Sequence, residues 1–169
     1  LTAALTKFNF VQCITWPQKI NNRRNKMPVQ IPHQPQVIAE LNQALGWELR
    51  AQAMYAHYAA YLKGLEMLTL KSHFEEEATE SFGHAAKVRD IIATLGGEAV
   101  TARDPSPIVH TEDWKTMLEE ALKTEQAAAG QYAKILPMIE SYPPFGHTIV
   151  HIMKDEMDAV VEVEALLGQ

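Results

Sequence analysis

Glu48, Glu77, His84, Glu125 and Glu156 stand where helix-core residues belong. Read at spacings of three and four, one stretch runs Leu41, Leu45, Glu48, Gln52, Tyr55, Ala59, and a second Leu70, Phe74, Glu77, Ser81, His84, Val88. A third runs Leu118, Leu122, Glu125, Ala129, Tyr132, Leu136, and a fourth Ile149, Ile152, Glu156, Ala159, Val163, Leu166. Each stripe is apolar at both ends and ionisable near its middle, and such a stripe is a helix face turned toward a core. A buried carboxylate without a partner protonates or destabilises the fold. Four glutamates and one histidine cannot balance their own charge. A divalent metal can, and oxygen with nitrogen donors suits iron or manganese. The alternative is a buried network of protonated glutamates. Glu48 and Glu125 are each followed seven residues on by a tyrosine, Tyr55 and Tyr132, two turns along the same face. The two halves of the chain therefore read as pseudo-symmetric hairpins.

The elements that must position these groups are all helical. Residues 36–104 and 108–136 contain no proline and are rich in Ala, Leu, Glu, Lys and Met, which are strong helix formers. No alternating β-branched run bounded by hairpin signals is present. Helices are predicted over about 35–63, 65–95, 111–141 and 147–167. Gly64, Gly96-Gly97 and Pro143-Pro144 fall between them, Thr111-Glu112-Asp113 is a cap, and Pro137 is a point for a kink. Short connections make the first and last pairs antiparallel hairpins. The linker of about 98–111, with Pro105 and Pro107, is long enough to cross the bundle, giving an all-α, four-helix architecture with one crossover.

Composition removes other classes. A chain of 169 residues fits one domain with a real core. Its single cysteine, Cys13, excludes disulfide scaffolds, iron–sulfur clusters and thiolate zinc sites. No apolar run approaches the roughly 18 residues of a membrane helix, so no membrane association is expected, and a cytoplasmic location is. The net charge of −6 is uneven, with five bases and no acid in residues 1–35, and 21 acids against 10 bases beyond them. The acidic body makes nucleic acid an unexpected partner. Residues 1–35 lack helical periodicity and make a poor secretory signal, so they read as a basic, irregular extension. They precede a bundle domain over 36–169 and are either additional to a start at Met27 or an arm that docks on a neighbouring subunit.

Glu40-Leu-Asn-Gln-Ala-Leu-Gly-Trp-Glu48-Leu-Arg-Ala-Gln-Ala-Met-Tyr55 resembles the first helix of bacterioferritins, members of the ferritin-like di-iron carboxylate family. The resemblance continues through Glu75-Glu-Glu-Ala-Thr-Glu-Ser-Phe-Gly-His84-Ala and Lys154-Asp-Glu156, spanning about 36–167. That family draws one glutamate from each of two helices and a Glu-x-x-His pair from each of the other two. By resemblance, Glu48 and Glu125 match the single glutamates, His84 matches one histidine and Glu156 the other pair's glutamate. Ser81 and Ala159 stand at the two remaining ligand positions. Glu77 and Glu80 are the nearest substitutes.

The resemblance implies binding of one or two non-haem iron ions per bundle, oxidation of Fe(II) by oxygen or peroxide as a ferroxidase, and iron storage. Manganese is the alternative metal. Tyr55 and Tyr132 would orient carboxylates or donate electrons, or simply pack in the core. Haem is not expected, because Phe82 occupies the position of the haem-ligating methionine. The chain stops after its fourth helix, where bacterioferritins have a fifth, so the expected homo-oligomer is a dimer or a 12-subunit shell as readily as a 24-subunit one. A degenerate structural or interaction protein and a manganese-catalase-like enzyme are the competing readings. His151, Asp155, Asp158 and Glu162 read as a solvated face, and His57 and His73 carry no assigned role. Trp47, Met54, Tyr58 and Tyr61 read as an outward partner surface.

Overall fold

The computed structural model describes residues 30–168. They form four helices: α1 (Gln34–Tyr61), α2 (Met67–Thr94), α3 (Trp114–Ile139) and α4 (Phe145–Leu167). Residues 1–29 lie outside the described part, so the reading of a basic extension is not addressed there. The bundle begins earlier than the expected residue 36. Ile31 is buried in the core, and the Gln34 side chain accepts from the Ile31 N–H at 3.1 Å and donates to the Leu95 carbonyl at 2.6 Å.

Local chemistry sets the boundaries. Pro35 opens α1, where its missing N–H costs nothing. Asp113 caps α3, accepting from the Thr116 N–H at 3.0 Å and hydroxyl at 2.7 Å. Pro137 lies in the last turn of α3, which ends at Ile139. At the α3–α4 turn a Cβ on Gly146 would meet the Glu140 backbone at 2.7 Å, so only glycine lets α4 start there.

α1 packs on α2, α3 on α4 and α1 on α3, whereas α2 and α4 touch at few points. The apolar core falls into two parts. One holds Leu41, Leu45, Val88, Ile92, Ile135 and Ile149; the other holds Tyr55, Leu70, Phe74, Met117, Leu118 and Val163. Between them lies a polar belt at the middle of every helix. The second core joins the start of α2 to the end of α4, and the first joins their opposite ends, so these two helices run antiparallel.

The crossover between α2 and α3 lies along α1. Asn42 donates to the Glu98 carbonyl and accepts from the Val100 N–H, and the Asp104 N–H donates to the Gly46 carbonyl at 2.8 Å. Buried Arg50 donates to the carbonyls of Ser106 and Pro107 and to the Thr124 hydroxyl. This strap and α3 cover a face of α1 that the sequence suggested was open. Met54 and Tyr58 are therefore core residues, not part of a partner surface; Trp47 is half-buried and Tyr61 is 42% exposed. The inner arc of α3 is also wider than one stripe, taking in Ala121, Ala128 and Ile135, because α3 packs on two neighbours. Leu166, expected inside, is 38% exposed near the end of α4. Among the described residues no helix is long and apolar enough to cross a membrane.

Candidate metal centre

Each helix contributes one group to the belt: Glu48 from α1, His84 from α2, Glu125 from α3 and Glu156 from α4. They are 1%, 2%, 3% and 5% exposed respectively. The two tyrosines reach across the hairpins. Tyr132 of α3 donates its hydroxyl to Glu48 Oε1 at 2.5 Å, and Tyr55 of α1 donates to Glu125 Oε1 at 2.6 Å. Each single glutamate is thus held by the tyrosine of the other half, and the seven-residue spacing makes this possible. Two turns carry each hydroxyl to the far side of the belt, where the facing helix presents its carboxylate.

His84 Nδ1 is 2.8 Å from Glu156 Oε1 and 3.8 Å from Glu48 Oε2. One donor atom from each of Glu48, His84 and Glu156 lies within 4.8 Å of the others. A single divalent ion can bridge separations of that size. Glu125 adjoins the group through a hydrogen bond with Glu156. On its other side His84 Nε2 is 3.3 Å from Asp155 Oδ2 and 3.7 Å from Glu80 Oε1.

Burial dominates the electrostatics. It raises the Glu48 carboxyl well above the usual range, helped by the charge of Glu156 and only partly opposed by the Tyr132 hydrogen bond. Glu125 is raised for the same reasons, burial and then Glu156. Burial raises Glu156 as well, although its hydrogen bond with Glu125 works against the rise. Burial also pushes both tyrosines up, so they remain donors. It lowers His84, with Lys87 adding to the effect and Glu80 and Asp155 opposing it.

With Asp155 accepting a proton from Nε2 at 3.3 Å, Nδ1 is the ring nitrogen that faces the belt, 2.8 Å from Glu156 Oε1. An N–H held by a carboxylate on the far side is the usual support for a metal-ligating histidine. Without a cation the belt must hold protons. A divalent ion held by the same oxygen and nitrogen donors would replace them, and this donor chemistry fits iron or manganese.

The other proposed ligands lie outside the three-donor group. Ser81 is buried, but its hydroxyl donates to the Glu77 carbonyl at 2.9 Å. Ala159 has no donor. Glu77 lies one turn along α2, half-buried, and its carboxyl is pushed up to about 8 by burial and then by Glu125. Glu80 is exposed on the outer side of His84. Three residues gain a position that their sequence reading lacked. Asp155 faces the α2–α4 gap and His84, not only solvent. His73 and Glu162 meet each other at 3.4 Å. The i,i+4 spacing of His73 and Glu77 was the one signal available for that pair.

A family model described as the ferritin-like domain matches residues 38–169. Among solved structures, a ferritin-like di-iron carboxylate protein from Bacillus anthracis superposes with a TM-score of 0.76 at 29% identity, over 81% of this chain and 99% of that one. A dodecameric thioferritin, a bacterioferritin-related protein from Bacteroides fragilis, gives 0.74 at 24% identity over 80% and 86%. Rhodobacter capsulatus bacterioferritin, with a metal-free dinuclear site and haem iron, gives 0.70 at 24% identity over 84% and 87%. A search of curated proteins found no match.

Proposed function

The chain belongs to the ferritin-like family, and from that premise we propose that it takes up Fe(II) at the Glu48–His84–Glu125–Glu156 belt and oxidises it with oxygen or peroxide. The observation that carries this reading is the convergence of Glu48, His84 and Glu156 donor atoms within 4.8 Å, deep in the bundle. Fe(II) is the substrate: it loses one electron, two Fe(II) reduce one peroxide to water, and four reduce one oxygen.

The protein's part is positioning and proton traffic. Glu48 and Glu156 supply carboxylates, and His84 supplies Nδ1, oriented by Asp155. The belt carboxyls give up protons as a cation enters, and those protons are available to the reduced oxidant. Tyr132 and Tyr55 fix the Glu48 and Glu125 rotamers, so little reorganisation accompanies entry. Non-haem metal is proposed, because Phe82 is exposed on the surface of α2 and carries no haem ligand. A homo-oligomer is proposed by analogy with the dodecameric relative, and storage would follow from a closed shell.

Anaerobic titration with Fe(II), followed by oxygen or peroxide, tests the reading through the ferric absorbance. Rapid oxidation in the native protein and its loss in Glu48→Ala and Glu156→Ala are expected; equal rates in the variants would contradict it. One observation favours a second reading, a proton-filled structural belt: Ser81 and Ala159 add no ligand. That reading predicts no Fe(II) or Mn(II) uptake at the belt.

A further inference from the structure

We propose that His73, Glu77 and Glu162 form a second site for a divalent first-row metal ion, about two helical turns along the bundle from His84 and Glu156 of the belt. Donor atoms of the three residues lie within 4.8 Å of one another. His73 Nδ1 is 3.4 Å from Glu162 Oε1 and 3.9 Å from Glu77 Oε1. His73 and Glu77 occupy i and i+4 of α2, a spacing that lets two side chains of one helix close on one ion. Glu162 completes the set from α4.

Two further observations point to a cation there, and a third orients the imidazole. The largest charge effects on Glu77 come from negative neighbours, Glu125, Glu80, Glu162 and Glu76. His73 Nε2 is buried without a hydrogen-bond partner, and its ring packs against Tyr55 and Phe74. Nδ1 is therefore the nitrogen that faces the carboxylates. Finally, α2 and α4 meet at few points, leaving space between them that side chains of the two helices face.

The position is informative. Glu77 stands four residues before Ser81 on α2, and Glu162 stands three residues after Ala159 on α4. Because α2 and α4 run antiparallel, both steps go the same way along the bundle. Donors absent at 81 and 159 are thus present one turn further on, on the same two helices. Tyr55 joins the two places: its hydroxyl holds Glu125 and its ring meets the His73 ring edge-on at 6.5 Å. The two sites differ in access. Glu162 has a side chain 58% exposed, so water completes this coordination shell and the ion exchanges with solvent, unlike one held in the buried belt.

This inference does not depend on iron oxidation at the belt. Co(II) is the probe, added anaerobically to the full-length, chelator-treated protein. Its visible d–d absorption and calorimetry together count bound ions. The native chain should bind one Co(II) at the belt and a second at His73–Glu77–Glu162. His73→Ala and, separately, Glu162→Gln should each remove one Co(II) per chain and leave the other with unchanged affinity. Glu156→Ala should remove the complementary one. Glu162 is exposed, so Glu162→Gln tests the site even where His73→Ala impairs folding, which circular dichroism would report. Unchanged Co(II) binding in Glu162→Gln overturns the proposal, as does the simultaneous loss of all bound Co(II) in a folded variant. If the native chain binds Co(II) only at the second site, the belt reading fails and this one stands.

Discussion

The α1–α2 and α3–α4 hairpins share one plan and differ in what they offer. Each supplies a mid-helix glutamate, Glu48 or Glu125, and a tyrosine that donates to the other's glutamate at 2.5 and 2.6 Å. On the second helix of each hairpin the two diverge. α2 keeps His84 and has Ser81 three residues before it; α4 keeps Glu156 and has Ala159 three residues after it. One half retains an imidazole, the other a carboxylate. The difference teaches that scaffold symmetry and site symmetry are separable. The reciprocal tyrosine bonds preserve the first, while the second has collapsed to one compact group drawn from both halves.

The largest effect that could break this comparison comes from unequal glutamates. Glu156→Ala should abolish metal uptake at the belt, because it removes the donor next to His84 Nδ1. Glu125→Ala, outside the three-donor group, should weaken uptake only about 10-fold, the scale of a supporting residue. Equal loss in both, measured by anaerobic Fe(II) titration, would mean that the two halves contribute alike. Restoring the missing donors sharpens the same point. Ser81→Glu with Ala159→His should add one bound ion per chain at the belt, counted with Glu162→Gln in the background.

Asp155→Asn comes next in size. It replaces the carboxylate facing His84 Nε2 at 3.3 Å with a neutral, weaker amide acceptor, and belt affinity should fall about 10- to 100-fold with the fold intact. No change would leave Asp155 as a surface residue.

The buried carboxyls give a dependence on pH. Glu48, Glu125 and Glu156 are raised by burial, and Glu77 to about 8. The folded, metal-free chain therefore holds more protons than the unfolded chain between the ordinary carboxyl value near 4.5 and these raised values. Its stability should be full below that window and fall as pH climbs through it. Melting of chelator-treated protein from pH 5 to 8.5 checks the sign, and bound metal should flatten the decline. A rise in stability over this range would contradict the proton-filled belt.

The smallest effect tests the symmetry itself. Tyr55→Phe and Tyr132→Phe should each cost about 1–2 kcal/mol of metal-free stability, the scale of a buried hydrogen bond to a polar partner. Strongly unequal costs in denaturant unfolding would show that the two bonds are not equivalent.

Much of this architecture is legible in the residues alone, and the exceptions have common causes. Helix boundaries follow Pro35, Gly64, Gly96 and Asp113 because caps and breakers act locally. The mid-helix ionisable groups stand out because they interrupt an apolar stripe. Met54 and Tyr58 were misread because α3 and the Arg50-anchored crossover together cover them, and periodicity within α1 shows neither. Asp155, His73 and Glu162 were missed for a different reason. Their roles depend on the register of α2 against α4, antiparallel neighbours joined by no short turn, and periodicity within one helix carries no information about that register.

Under the proposed function, Glu48, His84 and Glu156 together hold the ion on which the chemistry depends. Crystals grown anaerobically with saturating Fe(II), with diffraction recorded on both sides of the iron absorption edge, would locate that ion. An anomalous peak is expected within bonding distance of a Glu48 oxygen, His84 Nδ1 and a Glu156 oxygen. A belt without that peak, its carboxyls still paired with Tyr132, Tyr55 and His84 as in the metal-free chain, would contradict that function.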